Sequence, residues 1–195
     1  MKVIFLDNDG VICLANNWGG RAKKKREYNK KGIPLVDGNY PLDCRFDDFD
    51  KKAIKLLNEI IELTDAEIIV SSDWRYHATL EELGDYYTAQ GIIKRPIACT
   101  PRTEDIDPEL WNKRFRFRAM LEEERAFEIT HVLGQMPSIS HWVAVDDLFM
   151  GKKYKGSYGY TVEYDWGLSN FVHTPKSREG IKQSGVKEKI LKFLM

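Results

Sequence analysis

Three short, wholly apolar runs constrain this chain most: Val3-Ile4-Phe5-Leu6, Ile68-Ile69-Val70 and Trp142-Val143-Ala144-Val145. Each is too short for a helix and rich in β-branched or aromatic residues, so each reads as a strand. Continuous apolar strands suit a parallel sheet that is covered on both faces. All three runs stop abruptly at polar residues, namely Asp7-Asn8-Asp9-Gly10, Ser71-Ser72-Asp73-Trp74-Arg75 and Asp146-Asp147. In an open α/β sheet, ligands bind just beyond the carboxyl ends of the strands, so these three ends mark the expected site.

The intervening segments support the same class. Ala53, Ile54, Leu57, Ile60 and Ile61 repeat at helical spacing behind two candidate caps, Asp48 and Asp50. With the turn at Thr64-Asp65-Ala66-Glu67 they form a strand-helix-strand crossover. Glu81-Glu82-Leu83-Gly84 reads as the close of a short helix, and the stretch from Ile92 to Cys99 as a further strand broken by Pro96. Phe115, Ala119, Ala126, Ile129 and Leu133 mark one face of a long helix that delivers Arg125 ahead of the third strand. Tyr158 to Tyr164 reads as a strand, and Val186, Ile190, Phe193 and Leu194 as one face of a terminal helix; no internal repeat is visible.

The acidic strand ends point to phosphate chemistry. An EF-hand loop also begins Asp-x-Asp, but its next ligand positions are filled here by Val11 and Trp18, which excludes it. An acidic turn would account for Asp-x-Asp-Gly alone; three polar strand ends in this order are far more specific. Two nearby carboxylates allow one ionised nucleophile and one proton carrier. Phosphoryl transfer asks chiefly for alignment and positive charge, and magnesium needs only one or two carboxylates beside the substrate phosphate. Asp7 and Asp146 are the candidate metal ligands. Ser71 is placed to hydrogen-bond a phosphoryl oxygen, with Ser72 as the alternative. Arg125 is placed to neutralise developing charge, although it also lies three residues from Glu122 and Glu128. An exposed ion-pair ladder of that kind is worth only about 0.2–0.5 kcal/mol per pair.

These motifs together resemble the haloacid dehalogenase (HAD) superfamily of phosphohydrolases. Asp7 to Gly10 match its first motif, Ser71 its second, and Asp146-Asp147 its fourth. The third, a Lys or Arg, is best matched by Arg125, with Arg114, Arg116 and Arg118 in reserve; Arg is less usual there than Lys. Ser-Ser-Asp-Trp-Arg, Arg-x-x-Glu-Ile, Val-Asp-Asp and Gly167-Leu168-Ser169 are most similar to the branch found in nucleic-acid (RNA) repair and phage-type proteins. The resemblance implies an α/β, Rossmannoid three-layer fold with a central parallel sheet. It implies Mg2+ as cofactor, held by Asp7, by the backbone carbonyl of Asp9 and by Asp146, with Asp147 orienting the metal shell. It also implies that Asp7 attacks phosphorus to form an aspartyl-phosphate while Asp9 protonates the leaving oxygen and later activates water.

Residues 13–47 break the strand-helix alternation at the place where this superfamily puts a mobile flap or small cap. The segment is expected to overhang the site within one domain spanning residues 1–195, and such lids exclude water and select substrate. Arg21-Ala22-Lys23-Lys24-Lys25-Arg26 within it is strongly basic, with Trp18 before it and Tyr28 after it. Cations with neighbouring aromatics suit a phosphodiester backbone and stacked bases; the alternative is a solvated loop balanced by Asp43, Asp47, Asp48 and Asp50. A second such run, Lys113 to Arg118, adds modestly. Arg75, Asp147 and Ser169 are further candidate substrate contacts, as are His173, Lys176 and Arg178, whereas Asp73, Trp74 and Arg75 could equally anchor the segment after the second strand.

The chain's 195 residues suffice for one full hydrophobic core, and the formal net charge of zero names no partner. No apolar run is long enough to span a membrane, and Met1-Lys2 leads directly into a strand, which favours the cytoplasm. Cys13, Cys44 and Cys99 lack metal-type spacing and read as free thiols of a reducing compartment; a structural zinc site is not expected. The expected activity is a magnesium-dependent phosphomonoesterase acting on a nucleotide or a phosphorylated DNA or RNA end. The alternatives are a phosphatase of a small sugar or metabolite phosphate, and a HAD-like binding protein without turnover.

Overall fold

The computed structural model describes residues 1–33, 40–115, 121–155 and 160–195, with the side chains of residues 114 and 115 outside the description. In chain order the regular elements are β1 (Lys2–Leu6), α1 (Gly20–Lys30), α2 (Leu42–Arg45), α3 (Lys51–Thr64), β2 (Glu67–Val70), α4 (Leu80–Gln90), β3 (Ala98–Cys99), α5 (Thr103–Ile106), α6 (Pro108–Leu110), α7 (Leu121–Gln135), β4 (His141–Asp146), β5 (Lys153–Lys155), β6 (Thr161–Glu163), β7 (Phe171–His173) and α8 (Val186–Leu194).

Five strands form a parallel sheet in the order β3-β2-β1-β4-β7. β1 is central, with Leu6 opposite Val70 on one side and Val145 on the other. From β1 the chain builds outward through β2 and β3, then returns to lay β4 and β7 on the other flank. The reversal leaves a crevice between the carboxyl ends of β1 and β4, where open α/β sheets bind their ligands.

The unbroken apolar character of the strands has a direct cause in packing. Ile4, Leu6, Ile68, Val70, Val143 and Val145 face α3, α4 and α8, meeting Leu57, Ile60, Tyr87 and Ile190. The alternate residues Val3, Phe5, Ile69 and Ala144 face α7, meeting Ala126, Ile129 and Val132. Both faces of every central strand are therefore core, and each buried Leu, Ile or Val contributes roughly 1.5–3 kcal/mol.

Several elements differ from the sequence expectation. Asp50 caps α3, its carboxylate accepting from the backbone N–H of Lys52 at 3.0 Å and of Ala53 at 2.9 Å. Asp48 is not a cap; it accepts from Lys24, Tyr86 and Gln90. Glu81 and Glu82 open α4 rather than close a helix, because Thr79 and Glu82 form a reciprocal capping box and the helix runs on to a left-handed Gly91. Gly84 lies inside α4, where a Cβ would come within 2.7 Å of the Arg95 guanidinium.

The strand expected across 158–164 is reduced to β6, which pairs antiparallel with β5 in a separate ribbon; Tyr158 lies outside the described residues. Beyond Pro96 the sheet gains only the two residues of β3. Of the long helix face, α7 carries Ala126, Ile129 and Leu133, while Ala119 and the Phe115 side chain lie outside the described residues. Among the described residues no helix is long and apolar enough to cross a membrane.

Candidate active site

β1 ends one residue before Asp7, whose N–H still bonds to the Val145 carbonyl at 3.1 Å and so places its carboxylate beside the end of β4. The next turn is organised by Asn8. Its carbonyl accepts from the N–H groups of Val11, Ile12 and Cys13, and its side-chain oxygen accepts from the Tyr87 hydroxyl at 2.6 Å. Gly10 completes the turn at φ +72°, where a Cβ would stand 2.2 Å from Asp147 Oδ2. The glycine after Asp-x-Asp is thus required by both its backbone conformation and the close approach of Asp147.

Asp7, Asp146 and Asp147 each present a carboxylate oxygen, all within 4.8 Å of one another. Arg125 reaches in from α7. Its Nη1 lies 2.9 Å from Asp146 Oδ2 and 3.2 Å from Asp7 Oδ1, and its Nη2 lies 3.0 Å from Asp73 Oδ1. Its side chain is only 9% exposed, which rules out the surface ion-pair ladder as its use.

The crowding of carboxylates shows in their protonation. Burial, reinforced by Asp146, raises the Asp7 pKa well above the usual carboxylate range, while Arg125 and the Ser72 side chain work in the opposite sense. Burial also raises Asp146 against the pull of Arg125, and burial with Asp146 pushes Asp147 to about 6. Burial opposes the charge of Arg125 too, but Asp146 and Asp7 outweigh it and hold the guanidinium protonated. Among the described residues one buried cation, Arg125, faces the three carboxylates of Asp7, Asp146 and Asp147, and their all-oxygen donor chemistry suits a small hard cation such as Mg2+.

Asp9 points to the opposite side of the turn, where its Oδ2 accepts from the Trp74 indole N–H at 2.8 Å. Burial raises its pKa, and the Trp74 bond partly offsets the rise. Trp74 is itself fixed by stacking on Phe46 at 4.2 Å and Phe49 at 5.2 Å between ring centroids. In front of Asp9 lies a cavity of about 580 Å³ lined by Trp18, Gly19, Arg21, Ala22, Asp47 and Trp74. Asp47 builds its roof by accepting from the backbone N–H groups of Gly19 at 3.2 Å and Arg21 at 2.7 Å, which pins the start of α1 over the site.

Residues 3–181 match the family described as "HAD domain in Swiss Army Knife RNA repair proteins". The chain belongs to that family. No curated protein and no solved structure matched it. The central parallel sheet flanked by helices is the α/β arrangement of HAD domains, and the RNA-repair branch is the one that the motifs resembled.

Within this HAD domain the sequence-predicted residues divide. Asp7, Arg125, Asp146 and Asp147 converge, and Asp9 faces the adjoining cavity. Ser71 follows β2 with its N–H bonded to the Leu6 carbonyl at 2.9 Å, and its hydroxyl is buried without a partner among the described residues. Ser72 is brought in as well: its hydroxyl is likewise buried without a hydrogen-bond partner among the described residues, and it lies close enough to Asp7 to favour the ionised form slightly. The reserve arginines Arg116 and Arg118, and the Arg114 side chain, lie outside the described residues.

The basic run is not one surface, because successive helical residues turn by about 100°. Arg21 faces the cavity, Lys24 pairs with Asp48 at 2.6 Å, and Lys25 lies 3.6 Å over the Tyr40 ring. Lys23 and Arg26 are exposed. Arg75 is held inside, 5% exposed, by Glu128 at 2.7 Å and the Ser72 carbonyl at 3.2 Å, which is an anchoring position. Ser169 is not brought to the site. It bonds to Asn170, whose own contacts are with Trp142 and Ala144, toward the far end of β4 from Asp146. His173 does arrive, its Nε2 2.9 Å from the Asp147 carbonyl oxygen.

Sequence reasoning placed Asp47 only among the acids that could balance the basic run, not at the cavity, and it left open the roles of Asp73 and Trp74. Asp73 and Trp74 follow Ser72 directly, so their place after a functional strand end was the available signal. Asp47 carried none, since its partners lie 26 and 28 residues away. Cys13 packs inside, where burial pushes its thiol pKa up and away from reactivity.

Proposed function

We propose that this HAD domain is a magnesium-dependent phosphomonoesterase that acts on a phosphorylated nucleic-acid end or nucleotide through an aspartyl-phosphate on Asp7. The observation that carries the reading is the juxtaposition of the Asp7, Asp146 and Asp147 oxygens within 4.8 Å with Asp9 held on the cavity side by Trp74.

Asp7, the Asp9 carbonyl and Asp146 would hold Mg2+, with Asp147 orienting its shell, and the ion would supply positive charge against the phosphoryl oxygens. The protein's own groups account for the rest. An Asp7 oxygen forms a bond to phosphorus as the bond to the leaving oxygen breaks, and Asp9 gives that oxygen its proton. Asp9 then takes a proton from water as the water oxygen attacks phosphorus, which frees Asp7 and inorganic phosphate. Arg125 keeps positive charge beside the reacting oxygens, and the unpartnered Ser71 hydroxyl supplies a donor to one of them. Trp18, half exposed, offers an open ring face for a base, and Arg21 a cation for a phosphate. The segment from residue 13 to 47 acts as the flap that carries both. The three free cysteines fit a reducing, cytoplasmic setting.

The test is phosphate release with magnesium and with chelator, across nucleoside 5′- and 3′-monophosphates, end-phosphorylated oligonucleotides and sugar phosphates, with Asp7→Asn as control. Metal-dependent release from nucleotides or oligonucleotide ends is expected. Release from sugar phosphates alone would move the activity to small metabolites, and no release at all would leave a binding protein.

A further inference from the structure

The groove on the other side of α1 runs between that helix, the start of α3 and Lys182, and encloses about 780 Å³. It adjoins the cavity in front of Asp9 along the same first turn of α1, since Gly19 and Gly20, and likewise Asp47 and Asp48, fall one on each side.

Five lysines stand in it against the three carboxylates of Glu27, Asp48 and Asp50. Two of these lysines are engaged, Lys24 with Asp48 at 2.6 Å and Lys182 with Asp50 at 3.0 Å. Lys23, Lys51 and Lys52 are exposed and make no ion pair among the described residues. These free cations come from two elements, α1 and α3, that are 20 or more residues apart in sequence, so they are gathered by the fold rather than by a local charge run.

We infer that Lys23, Lys51 and Lys52 form a track for the phosphodiester backbone of a single-stranded polynucleotide, whose terminal nucleotide occupies the cavity between Trp18 and Asp9. The inference rests on the phosphatase reading for what happens at the end of the strand, and adds that the substrate is a polymer that crosses the start of α1. A row of backbone phosphates fits better than one compact anion, because the unpaired lysines are exposed and come from two separate helices along one groove. Contacts of this kind are independent of base sequence and strongly salt-dependent.

The test uses the full chain carrying Asp7→Asn, so that no turnover interferes, and end-phosphorylated oligonucleotides of one, two, four, eight and twelve nucleotides. Binding is followed by fluorescence anisotropy at several salt concentrations, with and without Lys23→Gln, Lys51→Gln and Lys52→Gln together. All three side chains lie on the surface, and circular dichroism checks the fold. Affinity is expected to rise with length over the first several nucleotides, and the triple substitution to lower the salt slope for the long strands by about 2. Equal affinity at every length, or an unchanged slope, would overturn the track. Phosphate release by the unsubstituted chain is measured on the same oligonucleotides. Release without length-dependent binding removes the track and keeps the enzyme, whereas length-dependent binding without release removes the enzyme and keeps the track.

Discussion

The Trp74 indole N–H donates to Asp9 Oδ2 at 2.8 Å, across 65 residues of chain, and holds the carboxylate at the cavity that both residues line. Trp74→Phe keeps the stack on Phe46 and Phe49 but removes the donor. Losing one hydrogen bond to a charged group costs about 1.5–3 kcal/mol, so kcat for phosphate release is expected to fall roughly 10- to 100-fold with the fold intact by circular dichroism. An unchanged kcat would show that Asp9 needs no such guide.

The parts of this site that could be read from sequence are those set by local chemistry. β1, β2 and β4 were legible because residues 3–6, 68–70 and 143–145 are buried on both faces and therefore apolar, and Asp7, Ser71 and Asp146 each directly follow such a run. Of the edge strands, β3 is the two-residue remainder of the run expected from Ile92 to Cys99, and β7, with only three residues, carried no signal. Gly84 was misread as a stop because it is there to admit Arg95. The couplings that orient the acids were hidden for another reason: Asp73 meets Arg125 across 52 residues, and no spacing rule links them.

Asp7→Asn separates stability from activity. The Asp7 carboxylate is raised by burial and by its neighbour Asp146, so its ionised form destabilises the native state. The amide has nearly the same shape without the charge. Turnover is expected to fall at least ~10³-fold while the melting temperature holds or rises. Near-normal turnover would remove Asp7 as the nucleophile.

Metal binding should register in stability alone. At a free Mg2+ concentration about 100 times Kd, a ligand that binds only the native state adds roughly 2.7 kcal/mol. For a chain of this size that corresponds to a melting temperature raised by roughly 5–11 °C, reversed by chelator. In Asp146→Asn the metal-induced rise should disappear, whatever the variant's melting temperature without metal. An equal rise in both proteins would place the ion elsewhere.

Glu128 accepts from Arg75 at 2.7 Å and from the N–H and hydroxyl of Thr103, yet burial pushes its carboxyl up to about 7 from an ordinary 4.5, with Glu124 adding to the rise and Arg125 opposing it. An acid with a raised folded pKa holds more protons folded than unfolded between those two values. Its contribution to stability therefore declines as pH rises from about 4.5 to 7, by at most about 3 kcal/mol. Glu128→Gln removes this titration, so chemical denaturation of the variant should show a flatter fall in stability between pH 5 and 7 than that of the parent chain. Parallel profiles would mean that Arg75 and Thr103 hold Glu128 ionised throughout.

Gly10 and Gly91 allow backbone strain to be separated from site geometry. Both have positive φ, at +72° and +97°, but a Cβ on Gly10 would meet Asp147 Oδ2 at 2.2 Å whereas one on Gly91 would meet nothing within 4 Å. Alanine at either position costs about 1–2 kcal/mol for the left-handed backbone. Only Gly10→Ala also drives Asp147 away from Asp7 and Asp146, so the two variants should melt similarly or with Gly10→Ala modestly lower, while phosphate release falls at least ~100-fold in Gly10→Ala and stays near parental in Gly91→Ala. If Gly10→Ala retained full turnover, the position of Asp147 would be irrelevant to the reaction, and the acidic pair would reduce to Asp146.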